Sequence, residues 1–326
     1  MIALIIFLLI GAIASFGLAK FVTAKHPPIG QFLQLDYQGK LICLHYLDSE
    51  QNCVLQKSAL QHNKPTIILI HGATGNLQDF HASIFTPLAE KYRVIAFDRP
   101  GLGYSERPRH GDSVNWCSPR EQMAIIRSAI HALNIDKPIF LGHSLAGPIV
   151  LDYLMHHGQE LSAAILLSPV SHPWPNGVTW YNYLDRVPIL REIFAYTWLP
   201  ILGYFATNPG LKGLFFPEKV PEDYRDKTAV DLFFRPRVML DNFRDQRLLC
   251  EYVTRAGRGY RAIQTPVKII TGTEDSVVMS WLHAEKLSYE LGEVDWLDLP
   301  NLGHSPHHCR SHEVIENIEK FIAKNT

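Results

Sequence analysis

Four short apolar runs in the first half of the chain most constrain its fold. They read PTIILIHG (65–72), YRVIAFD (92–98), PIFLGHS (138–144) and AAILLSP (163–169), and each ends in Gly, Asp, Ser or Pro. Runs of this length and composition are typical of buried strands. Between the second and the third run, residues 118–135 begin with Ser-Pro, a common start of a helix, and then carry apolar side chains at helical spacing. Strands that alternate with helices predict a mostly parallel sheet covered by helices on both faces.

The same alternation frames the rest of the chain. Residues 31–48 predict an opening hairpin. The elements expected near the C-terminus are a strand (266–275), a helix (280–292), a strand (293–300) and a final amphipathic helix (312–324). Together with the four apolar runs, they predict an α/β core with an eight-stranded sheet.

This pattern fails between residues 171 and 264, where aromatic side chains are mixed with many prolines. We predict that 171–264 is an α-helical cap inserted into the core, so that 30–170 and 265–326 are the two parts of one α/β domain. Such a cap would lie over the carboxyl ends of the strands, where ligands bind in open α/β sheets. Its aromatic side chains either line an apolar substrate pocket or form the cap's own core.

The N-terminal segment is apolar without interruption. Residues 1–19 hold no charge and would form a helix roughly 28 Å long, at about 1.5 Å per residue. This length predicts a single transmembrane anchor over residues 1–24, with a cleaved signal peptide and a buried core helix as the alternatives. Lys20 and Lys25 follow the apolar run, so the positive-inside rule places the body on the cytoplasmic side, whereas cleavage would lead to export.

The charge balance argues against one class of partner. The chain has 31 Lys and Arg against 32 Asp and Glu, a formal net charge of -1, so nothing favours nucleic acid as a partner. The five cysteines are scattered without C-x-x-C spacing and are expected to be reduced thiols: Cys43, Cys53, Cys117, Cys250 and Cys309.

One cluster of metal-binding residue types occurs near the C-terminus. His307, His308, His312 and Cys309 could hold an ion, but no second ligand group stands at a recognisable spacing. We therefore predict no metal, and no motif points to an organic cofactor.

The stretch LGHSLAGP (141–148) places Ser144 where a strand meets a helix. A nucleophile at such a turn has a strained backbone that only small neighbours allow, and Gly142, Ala146 and Gly147 are small. A helix that begins at the next residue would add the positive end of its dipole beside the serine. The alternative is that Ser144 merely caps this helix, since Ala146 replaces the second glycine of the G-x-S-x-G pattern.

A nucleophilic serine needs a histidine base and a carboxylate that orients the base. The chain offers both downstream, because Asp275 ends the strand at 266–275 and His304 follows a glycine after the last strand. We predict Ser144 as nucleophile, His304 as base and Asp275 as acid. The alternatives lie close by in sequence, namely Glu274 for the acid and His307 or His308 for the base.

Two backbone N–H groups are candidates for an oxyanion hole. The glycine-rich turn after the first buried strand offers that of Ala73, and the turn after the serine offers that of Leu145. His71, at the end of the same strand, is expected to orient its turn rather than transfer protons. Asp98 and Arg99 lie in another glycine-rich turn and are also expected to be structural.

The chain also carries a series of motifs in a characteristic order: HGATGN (71–76), DRPGLGYS (98–105), GHSLAG (142–147), GTED (272–275) and GHSPH (303–307). This series resembles the α/β-hydrolase superfamily, and in particular its cap-bearing group of esterases, lipases, epoxide hydrolases, haloalkane dehalogenases and haloperoxidases. The resemblance implies the α/β-hydrolase fold, with Ser144 on the nucleophile elbow, Asp275 and His304 as its partners, and Ala73 and Leu145 as oxyanion donors. Epoxide hydrolases and haloalkane dehalogenases have an aspartate at the position of Ser144, so the serine argues against both activities.

These features predict a serine hydrolase that acts on carboxylic esters or related acyl compounds through an acyl-enzyme intermediate. The anchor and the aromatic cap favour an apolar or lipid-like small molecule as substrate. A carbon–carbon bond hydrolase, a lactonase, a thioesterase, an amidase or a haloperoxidase-like enzyme would use the same triad. A membrane-tethered binding protein with a hydrolase fold is the non-enzymatic alternative. The sequence leaves the oligomeric state open.

Overall fold

The computed structural model describes residues 1–50, 64–108, 114–177, 183 and 186–325. Cys53, together with Trp180 and Tyr181 of the segment predicted as a cap, lies outside the described residues. The other four cysteines are free thiols.

A single eight-stranded sheet forms the centre of the molecule. Its strands are β1 (Gln31–Tyr37), β2 (Lys40–Asp48), β3 (Thr66–Ile70), β4 (Arg93–Phe97), β5 (Ile139–His143), β6 (Ala163–Leu167), β7 (Val267–Gly272) and β8 (Val294–Leu299). They are arranged in the order β1-β2-β4-β3-β5-β6-β7-β8. β2 pairs antiparallel with both β1 and β4, and the remaining pairs are parallel. The predicted eight-stranded, mostly parallel sheet is confirmed.

Helices cover both faces of this sheet. The helices outside the segment between β6 and β7 are α1 (Ile2–Lys25), α2 (Gln78–His81), α3 (Phe85–Ala89), α4 (Pro119–Ala132), α5 (Gly147–His157), α10 (Ala284–Glu290), α11 (Pro306–Cys309) and α12 (Ser311–Asn325). Ile68 and Ile70 of β3 pack into a core with α4 and α5, whereas Ile67 and Leu69 pack into a second core with α3 and α12. This alternation along one strand produces the three-layer arrangement that the apolar runs predicted.

Two helix starts can be compared with the sequence patterns. α4 begins behind Ser118, whose Oγ accepts a hydrogen bond from the N–H of Glu121 at 3.2 Å, as expected of a helix N-cap. The helix expected at 280–292 is shorter and covers only Ala284–Glu290. The residues between β7 and α10 form bends and turns instead. In the first of these bends, Asp275 Oδ1 accepts the N–H groups of Val277 and Val278 at 2.9 and 2.8 Å.

The described part of the segment between β6 and β7 is largely helical. Its described helices are α6 (Pro188–Tyr196), α7 (Trp198–Phe215), α8 (Tyr224–Lys227) and α9 (Pro236–Ala256). Several hydrogen bonds join it to turns at the carboxyl ends of β3 and β4. Among them, Asn242 Oδ1 accepts from the N–H of Thr74 (2.8 Å), Asn76 Nδ2 donates to the carbonyl of Thr228 (2.9 Å), and Arg235 donates to the carbonyl of Gly103. The insertion therefore lies at the edge of the sheet where ligands bind in such folds.

Helix α1 is the one helix in the described ranges that is long and apolar enough to cross a membrane. Its most apolar window has a mean hydropathy of 2.7, and only 11% of that window is buried. A membrane anchor and a signal sequence both meet this description. The helix ends at Lys25, one residue beyond the anchor predicted over 1–24.

A buried group of charges fastens α9 to the core. Asp245 of α9 accepts hydrogen bonds from Arg99 Nη1 (3.0 Å) and Arg107 Nη2 (2.7 Å), and all three side chains are at most 3% exposed. Arg99 also donates to the carbonyl of Gly72 at 3.1 Å. The charges are paired and hydrogen-bonded, which is the condition under which such groups are tolerated inside a protein.

We expect Asp245→Ala to lower the free energy of unfolding by about 3–5 kcal/mol, because it leaves Arg99 buried without its carboxylate and leaves Arg107 with only the carboxylate of Asp241, at 3.7 Å. Urea unfolding of the detergent-solubilised full chain measures this loss. Glu316→Ala is the matched control, since it removes the carboxylate of a solvent-exposed pair with Lys320 (2.6 Å), and it should leave the unfolding midpoint unchanged. Equal effects of the two substitutions would contradict the assigned role of Asp245.

Candidate active site

Ser144 lies at the sharp turn between β5 and α5. Its φ is 54°, a left-handed conformation that is strained for a residue with a side chain. Residues Ser144–Ala146 form a 3-10 turn, and the α-helix begins at Gly147, two residues later than expected. The carbonyl of Ser144 accepts a hydrogen bond from the N–H of Val170 at 3.0 Å, which holds the turn against the end of β6.

His304 connects Ser144 to Asp275. His304 Nδ1 is 2.7 Å from Asp275 Oδ2, and His304 Nε2 is 2.9 Å from Ser144 Oγ. An ionised carboxylate only accepts hydrogen bonds, so the Nδ1 proton points to Asp275 and Nε2 can accept from the serine hydroxyl. All three side chains are buried. The structure thus brings together the three residues that the sequence selected, although they lie far apart along the chain.

The alternative acid and bases lie elsewhere. Glu274 is exposed, whereas its neighbour Asp275 is buried. His307 and His308 direct their Nε2 atoms at Asp79, at 3.1 and 2.8 Å, and not at Ser144. Only His304 joins both a carboxylate and the serine within this group of candidates.

The turn after β3 lies beside the serine. A Cβ atom built on Gly72 would be 3.1 Å from the Cβ of Ser144, so the turn that carries Ala73 approaches the nucleophile closely. Thr74 follows with a φ of 57°, and its N–H is held by Asn242 of α9. Leu145 is the first residue after Ser144, at the start of the helical segment. Gly72, the neighbour of Ala73, and Leu145 thus both adjoin the serine, and the roles of Ala73 and Leu145 as oxyanion donors stay predictions.

His71 and the turn at 98–105 have structural contacts. His71 Nδ1 donates to the carbonyl of Gly72 (2.9 Å), and its Nε2 accepts the N–H of Arg99 (3.0 Å). Asp98 accepts the N–H groups of Leu77 and Tyr104, both at 2.7 Å. Burial and the nearby Arg99 guanidinium lower the pKa of His71 to about 4, so its ring is neutral near pH 7.

A buried carboxylate next to the site, Asp79 of α2, was not selected from the sequence. It accepts hydrogen bonds from His307, His308 and the hydroxyl of Tyr224, the last at 3.2 Å. Burial alone would raise the pKa of Asp79, but the adjacent His307 and His308 hold it well below its usual range. The cluster fixes the segment that follows His304. Asp79 and His307 are 228 residues apart in sequence, so no local motif identifies this cluster.

His143, the residue before the nucleophile, also contacts the base. Its Nε2 donates to the backbone carbonyl of His304 at 3.1 Å, and the two rings lie 5.0 Å apart. Burial, followed by the neighbouring His307 and His304, lowers the pKa of His143 well below its usual range. A neutral His143 therefore holds the His304 loop without adding a charge beside the base.

Donor atoms that could hold a metal ion meet at two places in the described ranges. Asp79, His143 and His307 form one group, with all donor atoms within 4.8 Å of one another, and His26, Asp226 and Asp231 form the other. The hydrogen bonds of His307 and His308 to Asp79 account for the first group, and Lys25 contacts both carboxylates of the second. Cys309, which the sequence grouped with the histidines, packs against apolar side chains of α7 and α8.

Comparison with known families identifies one match. A model described as alpha/beta hydrolase fold matches residues 65–310. An uncharacterised protein of Mycobacterium tuberculosis is 26% identical over 277 residues, which cover 79% of this chain and 75% of that protein.

Solved structures show the same architecture. A putative lipase from Acinetobacter baumannii has a TM-score of 0.68 at 22% identity, with 94% of this chain and 96% of the lipase covered. A membrane phospholipase A, described as a bacterial virulence factor, has a TM-score of 0.67 at 17% identity, with 96% and 92% covered. At these identities the similarity establishes the fold alone.

The lowered pKa of His71 predicts a pH dependence of stability. Between about pH 4 and pH 6.5 the unfolded chain binds a proton at His71 that the folded chain does not, so stability is full above pH 6.5 and falls as the pH decreases. This histidine contributes a slope of up to about 1.4 kcal/mol per pH unit. Unfolding at a series of pH values should show a smaller slope for His71→Asn than for the wild type.

His131→Asn, at a side chain that is 57% exposed, is the control for the effect of a histidine-to-asparagine change away from the core. An identical slope for wild type and His71→Asn would show that His71 is not held neutral by the fold.

Proposed function

The chain belongs to the α/β-hydrolase family, and we propose that it is a serine hydrolase that cleaves carboxylic esters or related acyl compounds. The observation that carries this proposal is the continuous hydrogen-bonded connection from Ser144 through His304 to Asp275. A helix-capping serine would not require a buried histidine and carboxylate in this order. The same connection argues against a pure binding protein.

In the proposed reaction, Ser144 Oγ attacks the acyl carbon while its proton passes to His304 Nε2. Asp275 stabilises the imidazolium that forms. The N–H groups of Val277 and Val278 donate to Asp275 Oδ1 and fix the orientation of this carboxylate. The backbone N–H groups of Ala73 and Leu145 are the proposed donors to the oxyanion. His304 then protonates the leaving group, and water enters to release the acyl enzyme by the same steps.

The strained backbone at Ser144 supports a nucleophilic role. A φ of 54° costs free energy, and such strain is concentrated at functional sites, where the surrounding structure maintains it. The turn also directs Oγ towards His304 Nε2, 2.9 Å away, within a buried site. A serine accepts the acyl group of the substrate, whereas an aspartate would form an alkyl ester of its own carboxyl group, so the serine fits acyl compounds better than epoxides or haloalkanes.

An apolar or lipid-like substrate is part of the proposal. The insertion that covers the strand ends contributes Phe234, Met239 and Phe243 to one apolar cluster, joined by Leu18 of α1. Two similar structures are described as a membrane phospholipase A and a putative lipase. Both observations favour substrates with hydrocarbon chains over small polar esters.

We further propose that α1 is retained as a membrane anchor. Lys25 lies 2.5 Å from Asp226 and 3.5 Å from Asp231, and the Asp231 side chain is fully buried. Cleavage of α1 would remove this partner and uncover the apolar surface that α1 covers. Lys20 and Lys25 at the end of α1 favour the cytoplasmic side for the body.

We expect Ser144→Ala to lower kcat for p-nitrophenyl esters by a factor on the order of 10⁴ or more, because the nucleophile is lost. Ser168→Ala is the matched control. Ser168 is also buried and also left-handed (φ 42°), at the end of the adjacent strand β6. It should retain wild-type kcat. Lactones and thioesters tested in parallel define the bond that is cleaved, and full activity of Ser144→Ala would overturn the mechanism.

A lipid-like substrate predicts a dependence on acyl chain length. The ratio kcat/KM for p-nitrophenyl esters should rise about fourfold for each added methylene that becomes buried on binding, since each buried methylene contributes about 0.8 kcal/mol. Steady-state kinetics below the micellar concentration of each ester provide the measurement. A ratio that is flat or falls from the shortest ester onwards would rule out a lipid-like substrate.

A further inference from the structure

We propose that the exposed apolar face of α6 and α7 lies in the lipid bilayer beside α1, so that the insertion itself is a membrane-binding surface. The inference rests on the proposed anchoring of the chain by α1. The inference adds a second membrane contact to this anchor, because α1 alone would leave the rest of the chain in water.

The exposed apolar side chains are concentrated in this part of the molecule. Among the described residues beyond the C-terminal end of α1, ten of the fifteen large hydrophobic side chains that are exposed belong to the segment from Tyr183 to Phe216. Ile189 of α6 is 78% exposed, and Leu202 and Phe205 of α7 are 62% and 76% exposed. Contiguous apolar patches of this kind are rare on water-exposed surfaces and mark contacts with membranes or proteins.

Helix α1 packs along the same insertion. The ring of Phe7 stacks on Trp198, the first residue of α7, with centroids 4.8 Å apart. Gly11 lies against the same indole, because a Cβ built on it would be 2.7 Å from Trp198 Nε1. One turn further, Ser15 is fully buried, and Leu18 joins the cluster around Phe234. Contacts at this spacing form one continuous seam on α1.

This packing fixes the depth of the insertion. A helix of 24 residues is roughly 36 Å long, about the thickness of the bilayer core, so an α1 that spans the membrane has its middle residues in hydrocarbon. Trp198 contacts Phe7 and Gly11, which belong to that middle part. A residue in van der Waals contact with them lies at the same depth. The start of α7 and the adjacent α6 must therefore also lie within the membrane.

The charges mark where the bilayer ends. At the C-terminal end of α1, Lys25 pairs with Asp226 and Asp231, and Arg225 binds Asp231 at 2.7 Å. The seam between Phe7 and Leu18 has only apolar and small residues on the α1 side. On α6, Arg191 and Glu192 contact each other at 3.3 Å, and long charged side chains of this type can extend to the interface.

A bilayer explains this surface better than a second copy of the chain. The exposed residues of α1 and those of the insertion are parts of one surface, and α1 alone exposes side chains on all sides except its seam. A protein partner would have to surround α1 as well as cover α6 and α7. A lipid phase does both without any specific complementarity.

The arrangement also connects the membrane to the proposed site. α7 carries Leu202 and Phe205 on its exposed face and ends at Phe215, whose ring contacts His308 edge to face at 6.1 Å. His308 follows the proposed base, His304, by four residues. One helix thus extends from the membrane-facing surface to the loop that bears His304. A membrane lipid is the class of substrate that this geometry presents to the site.

Tryptophan quenching in nanodiscs tests the inference without depending on activity. Phe205→Trp and Tyr289→Trp are matched variants, because both side chains are aromatic and 76% exposed, and Tyr289 lies on α10, outside the proposed membrane-facing helices α6 and α7. Each full-length variant is reconstituted in phosphatidylcholine with or without bromine on the acyl chains, and the wild-type fluorescence is subtracted. The fluorescence added by Phe205→Trp should be lost in brominated lipid, whereas that added by Tyr289→Trp should be lost only with aqueous iodide.

The other outcomes overturn the inference in distinguishable ways. Quenching of Phe205→Trp by iodide alone would place the face in water. Protection from both quenchers, with cross-linked dimers in the same sample, would assign the face to a second copy. Release of the full chain from vesicles by alkaline carbonate would overturn the anchor and this inference together. Ester hydrolysis by the detergent-solubilised chain reports separately on the catalytic proposal.

Discussion

The left-handed backbone at Ser144 is the constraint on which the proposed site depends. It places Oγ at the carboxyl end of the central strand β5, where the turn after β3 and the loops after β7 and β8 meet. Because neighbouring parallel strands end at the same edge, His304 and Asp275 can reach the serine although their strands are remote in sequence. The hydrogen bond between Ser144 and Val170 and the buried cluster around Asp79 maintain this geometry.

The insertion between β6 and β7 links this site to the rest of the molecule. Its polar contacts, through Asp245 and Asn242, are directed at the turns that carry Arg99 and Thr74, next to the proposed oxyanion hole. Its apolar contacts run in two directions, because Leu249 and Val253 of α9 pack into the core with α4 and α5, whereas Trp198 and the cluster around Phe234 contact α1. One segment thereby contacts both the proposed membrane-facing surface and the proposed catalytic edge, as an enzyme acting on a lipid within the bilayer would require.

The sequence predicted the elements that depend on local patterns and missed those that depend on distant contacts. Each apolar run became a strand because a buried parallel strand needs only a short apolar segment. The order of motifs led to Ser144, Asp275 and His304 because their chemistry requires particular residue types at strand ends. The contacts of Asp79 with His307, and of Trp198 with Gly11, join residues with no relation in sequence. The expected start of α10 at residue 280 was wrong, since residues 280–283 form turns and the helix begins at Ala284.

The most direct test of the central claim is to identify the residue that a fluorophosphonate modifies. The probe reacts with a serine only when a neighbouring base activates its hydroxyl, so peptide mass spectrometry after labelling reports nucleophilicity rather than position. The account predicts a single adduct on the peptide that contains Ser144, and its loss in His304→Ala, which keeps the serine but removes the base. Labelling of another serine, or unchanged labelling of Ser144 without His304, would contradict it.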